Sequence, residues 1–423
     1  MRKAVFAIIG ATILAAGPAI AGSPLDDKAS GMSTADADQL VTLGDLYVEA
    51  DRLDEAKDSY RAALKLKPKY GEAEFGLARI DMARGKLEKS KKTCRVIARK
   101  NKSESVGEVC SGWVWLSFDR SARAIDEFQK ALSKGDTIRG KTGLAEAYRR
   151  RADDDEAIAM YKEAIAAGAG YVAKMGLGLA FESNGDNPSA IAAMRDAVKA
   201  EPASCMAHYN LGRLLEKGPE AISHLRTALE IRPGWSIAQE QLGRSLLEGG
   251  DFQGAKAAFE AALSGKTKQG TAYLGLGKAL FGLKKSQEAM KALEKAIELV
   301  PNLVDAYLLI ADIEYASGNT DAALEALEKA KAVAPGVVRV YLHTGETYFR
   351  LGRYTSANSY LKQAVNLKKD LSMAHLILGD IACERRLYDA GQTHYDNALT
   401  GDMVGVTRAD IEKRKAVCKS KHK

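Results

Sequence analysis

Histidine and cysteine are few in this 423-residue chain, and neither is spaced for a metal motif. The six His residues show no HxxxH or HExxH spacing, and the five Cys residues show no CxxC spacing. Charge of one sign is lacking as well. Against 62 Lys and Arg stand 55 Asp and Glu, and segment 408–423 alone carries seven basic residues against two acidic ones. The body of the chain is therefore close to neutral, which argues against a basic nucleic-acid groove. Long apolar runs are missing apart from Ala4 to Ala16, which is too short to span a bilayer. No low-complexity stretch or linker interrupts the body. What the chain has instead is a period.

The dipeptide Leu-Gly recurs at Leu43-Gly44, Leu177-Gly178, Leu211-Gly212, Leu242-Gly243, Leu276-Gly277 and Leu378-Gly379, with several neighbouring copies 34 residues apart. Companions recur with it. Gly44 is followed by Tyr47, Ala56, Tyr60, Ala63 and Pro68; Gly178 by Phe181, Ala190, Met194, Ala197 and Pro202; Gly277 by Leu280, Ala289, Leu293, Ala296 and Pro301. This spacing predicts two amphipathic helices per unit. Small Ala residues permit close approach, and a Gly such as Gly85, Gly250, Gly318 or Gly352 takes the left-handed turn between the helices. The Pro stops the second helix. One such pair cannot bury its own apolar face, so neighbours must stack.

On these residues the chain resembles the tetratricopeptide repeat (TPR) family, in its exported bacterial form. Eleven units are legible, opening near Ala37, Gly71, Ser105, Ile138, Tyr171, Cys205, Ser236, Gly270, Val304, Val338 and Ser372. The resemblance implies an all-α fold: an α-solenoid of about eleven TPR helix pairs, wound as a right-handed superhelix whose first helices line a concave groove. The sixth unit lacks three residues between Leu215 and Ala221, which predicts a tighter turn there. Residues 37–403 are then the solenoid, and 404–423 a capping helix with a basic tail. Val404, Ile411 and Cys418 would supply the covering stripe, with Lys413 facing water.

The start reads as a targeting segment. Arg2-Lys3 precede the apolar run, and Ala19-Ile20-Ala21 offers a small-x-small cleavage site, so residues 1–21 are expected to be a secretory signal peptide and the protein to be periplasmic or secreted. Residues 22–36 are small and polar, and a flexible leader is expected there.

Nothing in the sequence supports catalysis, a cofactor or a metal. Gly135 to Thr142 matches the phosphate-loop pattern GxxxxGK[ST], but the segment before it reads as a helix rather than a strand, so it is taken as an inter-repeat turn. Ser223-His224 would point to different helix faces and cannot act as a nucleophile pair. His208 and His375 fall in the slot held elsewhere by Tyr273, Tyr307 and Tyr341, which suggests packing.

In TPR proteins ligand-facing residues recur one after and three before the conserved Gly. Just after it stand Trp113, then Arg213, Arg244 and Lys278, then Asp312, Glu346 and Asp380. These are the candidate partner-binding residues. They predict a polypeptide of fixed direction, its acidic end at the basic trio and its basic end at the acidic trio, with Trp113 as apolar anchor unless it folds back on Trp115 and the next helix. Three before the Gly runs an aliphatic ladder including Leu274, Leu308, Leu342 and Leu376. No Asn stands at either place, which disfavours the family's chaperone-tail ligands.

Cys94 and Cys110 lie eight residues either side of a turn centred near residue 102, which places them level on neighbouring helices and favours a disulfide. Cys383 and Cys418, one residue past a full repeat apart, are a second candidate pair, leaving Cys205 free. The alternative is five reduced cysteines packed as small apolar residues. The expected function is a protein-binding scaffold in the bacterial envelope. The alternatives are an outer-membrane or cell-wall-associated assembly factor, or a regulatory subunit of a separate enzyme.

Overall fold

A computed structural model describes residues 23–265 and 269–421. The expected signal peptide, residues 1–21, lies outside the described residues. All regular structure among those described is helical, and the chain divides at residue 267 into two compact units.

Unit 1 contains α1 (Pro24–Gly31), α2 (Ala37–Glu49), α3 (Leu53–Leu66), α4 (Gly71–Ala83), α5 (Leu87–Lys100), α6 (Val106–Ser117), α7 (Ser121–Ser133), α8 (Thr137–Arg151), α9 (Asp154–Ala166), α10 (Tyr171–Ser183), α11 (Asn187–Ala200), α12 (Cys205–Leu214), α13 (Pro219–Ile231), α14 (Ser236–Glu248) and α15 (Phe252–Leu263). Unit 2 contains α16 (Gly270–Gly282), α17 (Ser286–Leu299), α18 (Val304–Ala316), α19 (Thr320–Val333), α20 (Val338–Arg350), α21 (Tyr354–Leu367), α22 (Ser372–Glu384), α23 (Tyr388–Thr400) and α24 (Arg408–Lys421). Within each unit, from α2 onward, helices pair with their sequence neighbours, and first helices also touch the next first helix: α2 with α4 and α6 with α8 in unit 1, α16 with α18 and α20 with α22 in unit 2.

The repeating anchors are the core. Tyr60, Met194 and Leu293 are fully buried, as are the Ala residues four before and three after each of them. The Gly slots are explained by these anchors. A Cβ on Gly44 would lie 2.5 Å from the Tyr60 ring, and one on Gly76, in the next repeat, 2.2 Å from it. One aromatic ring thus wedges between two helix backbones, and only Gly leaves room on both sides. Pro68, Pro202 and Pro301 each stand two residues beyond the end of a second helix.

The turn glycines behave as expected, with φ of 71° at Gly85, 78° at Gly250, 82° at Gly318 and 69° at Gly352. Asp51, Asp119, Ala152, Lys284 and Arg386 fill the same slot at φ between 58° and 66°, where a side chain costs energy.

Three expectations are corrected. The flexible leader is in part a helix. Ser23 caps α1, Leu25 is fully buried, and Asp26 pairs with Arg52 at 2.6 Å. The three residues missing from the sixth repeat do not tighten its turn. They shorten its first helix to 10 residues against 13 in α10 or α14, and Glu216 and Gly218 take positive φ in the connection. At the C-terminus α24 forms and buries Ile411 and Cys418, but Val404 precedes the helix and is 66 % exposed. Lys413 is exposed.

Both cysteine pairs are joined, Cys94–Cys110 with Cα atoms 5.4 Å apart and Cys383–Cys418 at 5.7 Å, while Cys205 is free and buried. The first links α5 to α6 and the second ties α24 to α22.

Candidate functional site

The candidate face is the one carrying the residue just past each Gly slot. Its chemistry depends on the second-helix anchor fifteen residues later. Where that anchor is Tyr, its buried hydroxyl needs an acceptor. Tyr60 donates to Asp45 at 2.5 Å, Tyr161 to Glu146 at 3.0 Å and Tyr395 to Asp380 at 2.8 Å. Each acid is also held by arginine: Asp45 by Arg79 of the next repeat at 2.5 Å, Asp380 by Arg414 of α24 at 2.5 Å, and Glu146 by Arg149 and Arg150, both at 2.8 Å. Burial and the adjacent Asp380 carboxylate push the Tyr395 phenol well above its ordinary pKa, so it remains a donor. Burial opposes charge on Glu146, but its two arginines outweigh this and hold its pKa below normal. Asp380, one of the expected partner-binding residues, is therefore engaged by the fold itself.

Asp312 and Glu346 stand over Leu327 and Leu361 instead, which offer no donor. Their partners are near the surface: His343 at 3.0 Å from Asp312, and Arg350 at 2.5 Å from Glu346. Both acids are half-buried and, unlike Asp45, Glu146 and Asp380, have no phenol hydroxyl beneath them. Lys278 is half-buried behind Gly277 on the same face of unit 2.

Three residues further along each first helix stand Phe281, Tyr315 and Phe349, 34 residues apart and partly exposed. These aromatic rungs were not singled out from the sequence. Their common offset of four from Gly277, Ala311 and Gly345 is the signal that finds them. Arg350 lies over the Tyr315 ring at 5.9 Å. Below the last rung a cavity of about 360 Å³ is bounded by Phe349, Asp380, Glu384, Lys413 and Arg414.

The expected residues of unit 1 are also paired. Arg213 makes a two-pronged bond to Glu182 at 2.5 and 2.6 Å, and Arg244 pairs with Glu240 on its own helix. Trp113 is half-buried and turns toward α7 rather than Trp115, its ring edge-on to Phe128 at 5.9 Å. The aliphatic ladder three before the Gly is mostly core: Val109, Tyr209, Leu274, Leu308 and Leu376 are all buried. That position points between adjacent first helices, where stacking covers it.

Unit 1 also closes on its own beginning. The Glu49 carboxylate, at the end of α2, accepts from Tyr171 and Ser204, both at 2.7 Å, and Arg232 reaches Asp51 at 3.5 Å. Lys28 of α1 pairs with the buried Glu201 at 2.5 Å. Burial raises the Glu49 pKa, and the two hydroxyl donors oppose that rise. Sequence separations above 120 residues hid this clasp from any local pattern.

The phosphate-loop match is a helix–helix turn. α8 starts at Thr137, so Gly140, Lys141 and Thr142 are helical, and Lys141 pairs with Glu163 at 2.6 Å. Among the described residues no group of three or more His, Cys, Asp or Glu is gathered to hold a metal ion, and no helix is long and apolar enough to cross a membrane.

Sequence profiles described as Tetratricopeptide repeat match residues 47–106, 142–170, 175–234, 240–304 and 302–370. No curated protein sequence matches significantly. Among solved structures, yeast Tom70 is similar in fold, with a TM-score of 0.51 at 12% identity over 91% of this chain and 96% of that one. A tetratricopeptide repeat protein from Parabacteroides merdae gives a TM-score of 0.50 at 19% identity over 59% of this chain and 98% of its own. The profile matches cover most of the sequence and fall on the helix pairs described above: the chain belongs to the tetratricopeptide repeat family.

Proposed function

We propose that this chain is a binding scaffold of the cell envelope that holds a partner polypeptide, with the first-helix face of unit 2 as its docking surface. Tetratricopeptide repeats support a protein-interaction role in general. The observation that carries the finer reading is the contrast along the Gly-adjacent positions. The acids above Tyr anchors each hold a buried phenol, whereas Asp312 and Glu346 above Leu anchors pair instead with His343 and Arg350, and they alternate with the partly exposed Phe281, Tyr315 and Phe349. Acids beside aromatic rungs suit a segment that carries Lys or Arg between apolar residues.

Arg213 and Arg244 are proposed to steer an acidic part of the same partner, through charge left over from their internal pairs, and Trp113 to act as a secondary anchor. Export is supported by the charged, apolar and small-residue order of residues 1–21 and by two disulfides, which persist in oxidising compartments. The alternative of an assembly factor that uses its basic tail on anionic surfaces is weakened by α24. Arg414, Lys415 and Lys421 there are engaged with Asp380, Asp396 and Glu384.

The test is photo-crosslinking from a probe residue placed at Phe281, Tyr315 or Phe349 in cells that make the protein. A discrete polypeptide adduct from these positions supports the reading, provided that Glu294 and Glu325, exposed on α17 and α19, give none. Equal adducts from both sets would overturn it.

A further inference from the structure

Four of the six histidines form two pairs at equivalent places, one in each unit. His208 on α12 faces His224 on α13, Nδ1 to Nδ1, at 2.9 Å, and His375 on α22 faces His394 on α23 at 3.2 Å. The partners are 16 and 19 residues apart in sequence, and the three residues missing from the sixth repeat account for the difference. Both first-helix imidazoles are buried, and both second-helix imidazoles are half-buried with an edge toward solvent.

The buried member is held the same way each time. Its Nε2 meets a backbone carbonyl six residues upstream, that of Pro202 at 3.1 Å from His208 and that of Lys369 at 3.0 Å from His375. In other repeats Tyr307 and Tyr341 occupy this slot and give their hydroxyls to the carbonyls of Pro301 and Pro335. A carbonyl can only accept, so Nε2 carries the proton and Nδ1 presents a lone pair toward the second ring. A backbone carbonyl on the far nitrogen is also the usual outer partner of a metal-ligating histidine.

We propose that each His–His pair is a chelating site for a divalent transition-metal ion of the imidazole-preferring class, Cu(II) above all. At metal–nitrogen bonds of about 2.0–2.1 Å, nitrogens 2.9 to 3.2 Å apart subtend about 90–100° at the metal, a bite that both square-planar and tetrahedral ions accept. In the absence of metal the pair shares one N–H···N bond. On binding, the second imidazole moves that proton from Nδ1 to its outward Nε2, so both rings ligate through Nδ1 and no proton leaves the pair. Water fills the remaining positions, since no third protein ligand is gathered at either pair.

Burial, together with the neighbouring His224, lowers the His208 pKa to about 4, and burial lowers those of His224 and His394 too, which keeps these rings neutral and ready to ligate.

The full chain, stripped of metal, is titrated with glycine-buffered Cu(II) and followed by calorimetry and electron paramagnetic resonance. The expected result is two equivalents with nitrogen-ligand signatures. One equivalent is lost in His224→Ala, the other in His394→Ala, and both in the double variant. These variants leave each buried His on its carbonyl, and circular dichroism checks that they fold. Undiminished stoichiometry in a folded double variant, or no saturable binding by the parent chain, overturns the proposal.

Discussion

The Cys383–Cys418 disulfide should decide whether α24 stays on the end of unit 2. Apart from Cys418, α24 buries only Ile411, worth about 2–3 kcal/mol. Its ion pairs to Asp380, Asp396 and Glu384 are largely exposed and contribute about 0–1 kcal/mol each. A free helix of its 14 residues is marginal in water. Those terms come close to cancelling against the cost of ordering the segment. With α22 and α23 still folded, the disulfide closes only the tether from 401 to 418, which removes about 3 kcal/mol of chain entropy from the undocked state. Cys418→Ser should therefore raise the fraction of undocked α24 by about two powers of ten. Hydrogen exchange read by mass spectrometry on peptides from 408–421 and 372–384 reports this directly. The expected result is fast exchange confined to α24 and the facing side of α22, both in the variant and in the parent chain under reductant. Unchanged protection of 408–421 in both would refute the reasoning, because side-chain contacts alone would then hold the helix.

Three further outcomes follow from the structure. Ala152 sits at φ 66° where Gly85, Gly185, Gly250, Gly318 and Gly352 take similar angles in the other turns, so Ala152→Gly should raise stability by about 1 kcal/mol in urea denaturation. Gly76→Ala should lower it by about 2–3 kcal/mol, because the added carbon meets the Tyr60 ring wedged between two helix backbones. The His208 pKa in the fold, about 4, lies below its unfolded value of 6.5, so its contribution to stability is complete above pH 6.5 and is lost as pH falls toward 4. By pH 5 about 2 kcal/mol should be gone; His208→Tyr, which copies Tyr307, should flatten that slope in pH-dependent urea titrations.

The repeat was legible because each position has a fixed local duty. Leu43-Gly44, Ala56, Tyr60 and Pro68 state the two helices, their contact and their stop within one unit, and the observed first helices begin at or within one residue of the expected openings. The Cys94–Cys110 pair was legible for the same reason, since a helix hairpin fixes the height of residues equidistant from its turn. The face was harder to read. A charge at the Gly-adjacent position looks alike in sequence whether it faces a ligand or a buried phenol. Only the anchor fifteen residues later separates Asp380, bound by Tyr395, from Asp312 over Leu327. The helical leader and the Glu49 clasp were not legible, because their partners, Glu201, Tyr171 and Ser204, lie far along the chain and obey no period. The His pairs form across two helices, so no HxxxH spacing along a single helix marks them.

The central claim is that unit 2 takes a basic segment of a partner on Asp312, Glu346 and the aromatic rungs. The most direct measurement is crosslinking from a probe at Tyr315 in the otherwise native chain, repeated with Asp312→Lys and Glu346→Lys combined. Charge complementarity of this kind governs orientation and association rate. The account predicts a discrete polypeptide adduct that falls at least tenfold in the double variant while the protein stays folded. An adduct of undiminished yield after that charge reversal, or none from Tyr315 in the native chain, would contradict it.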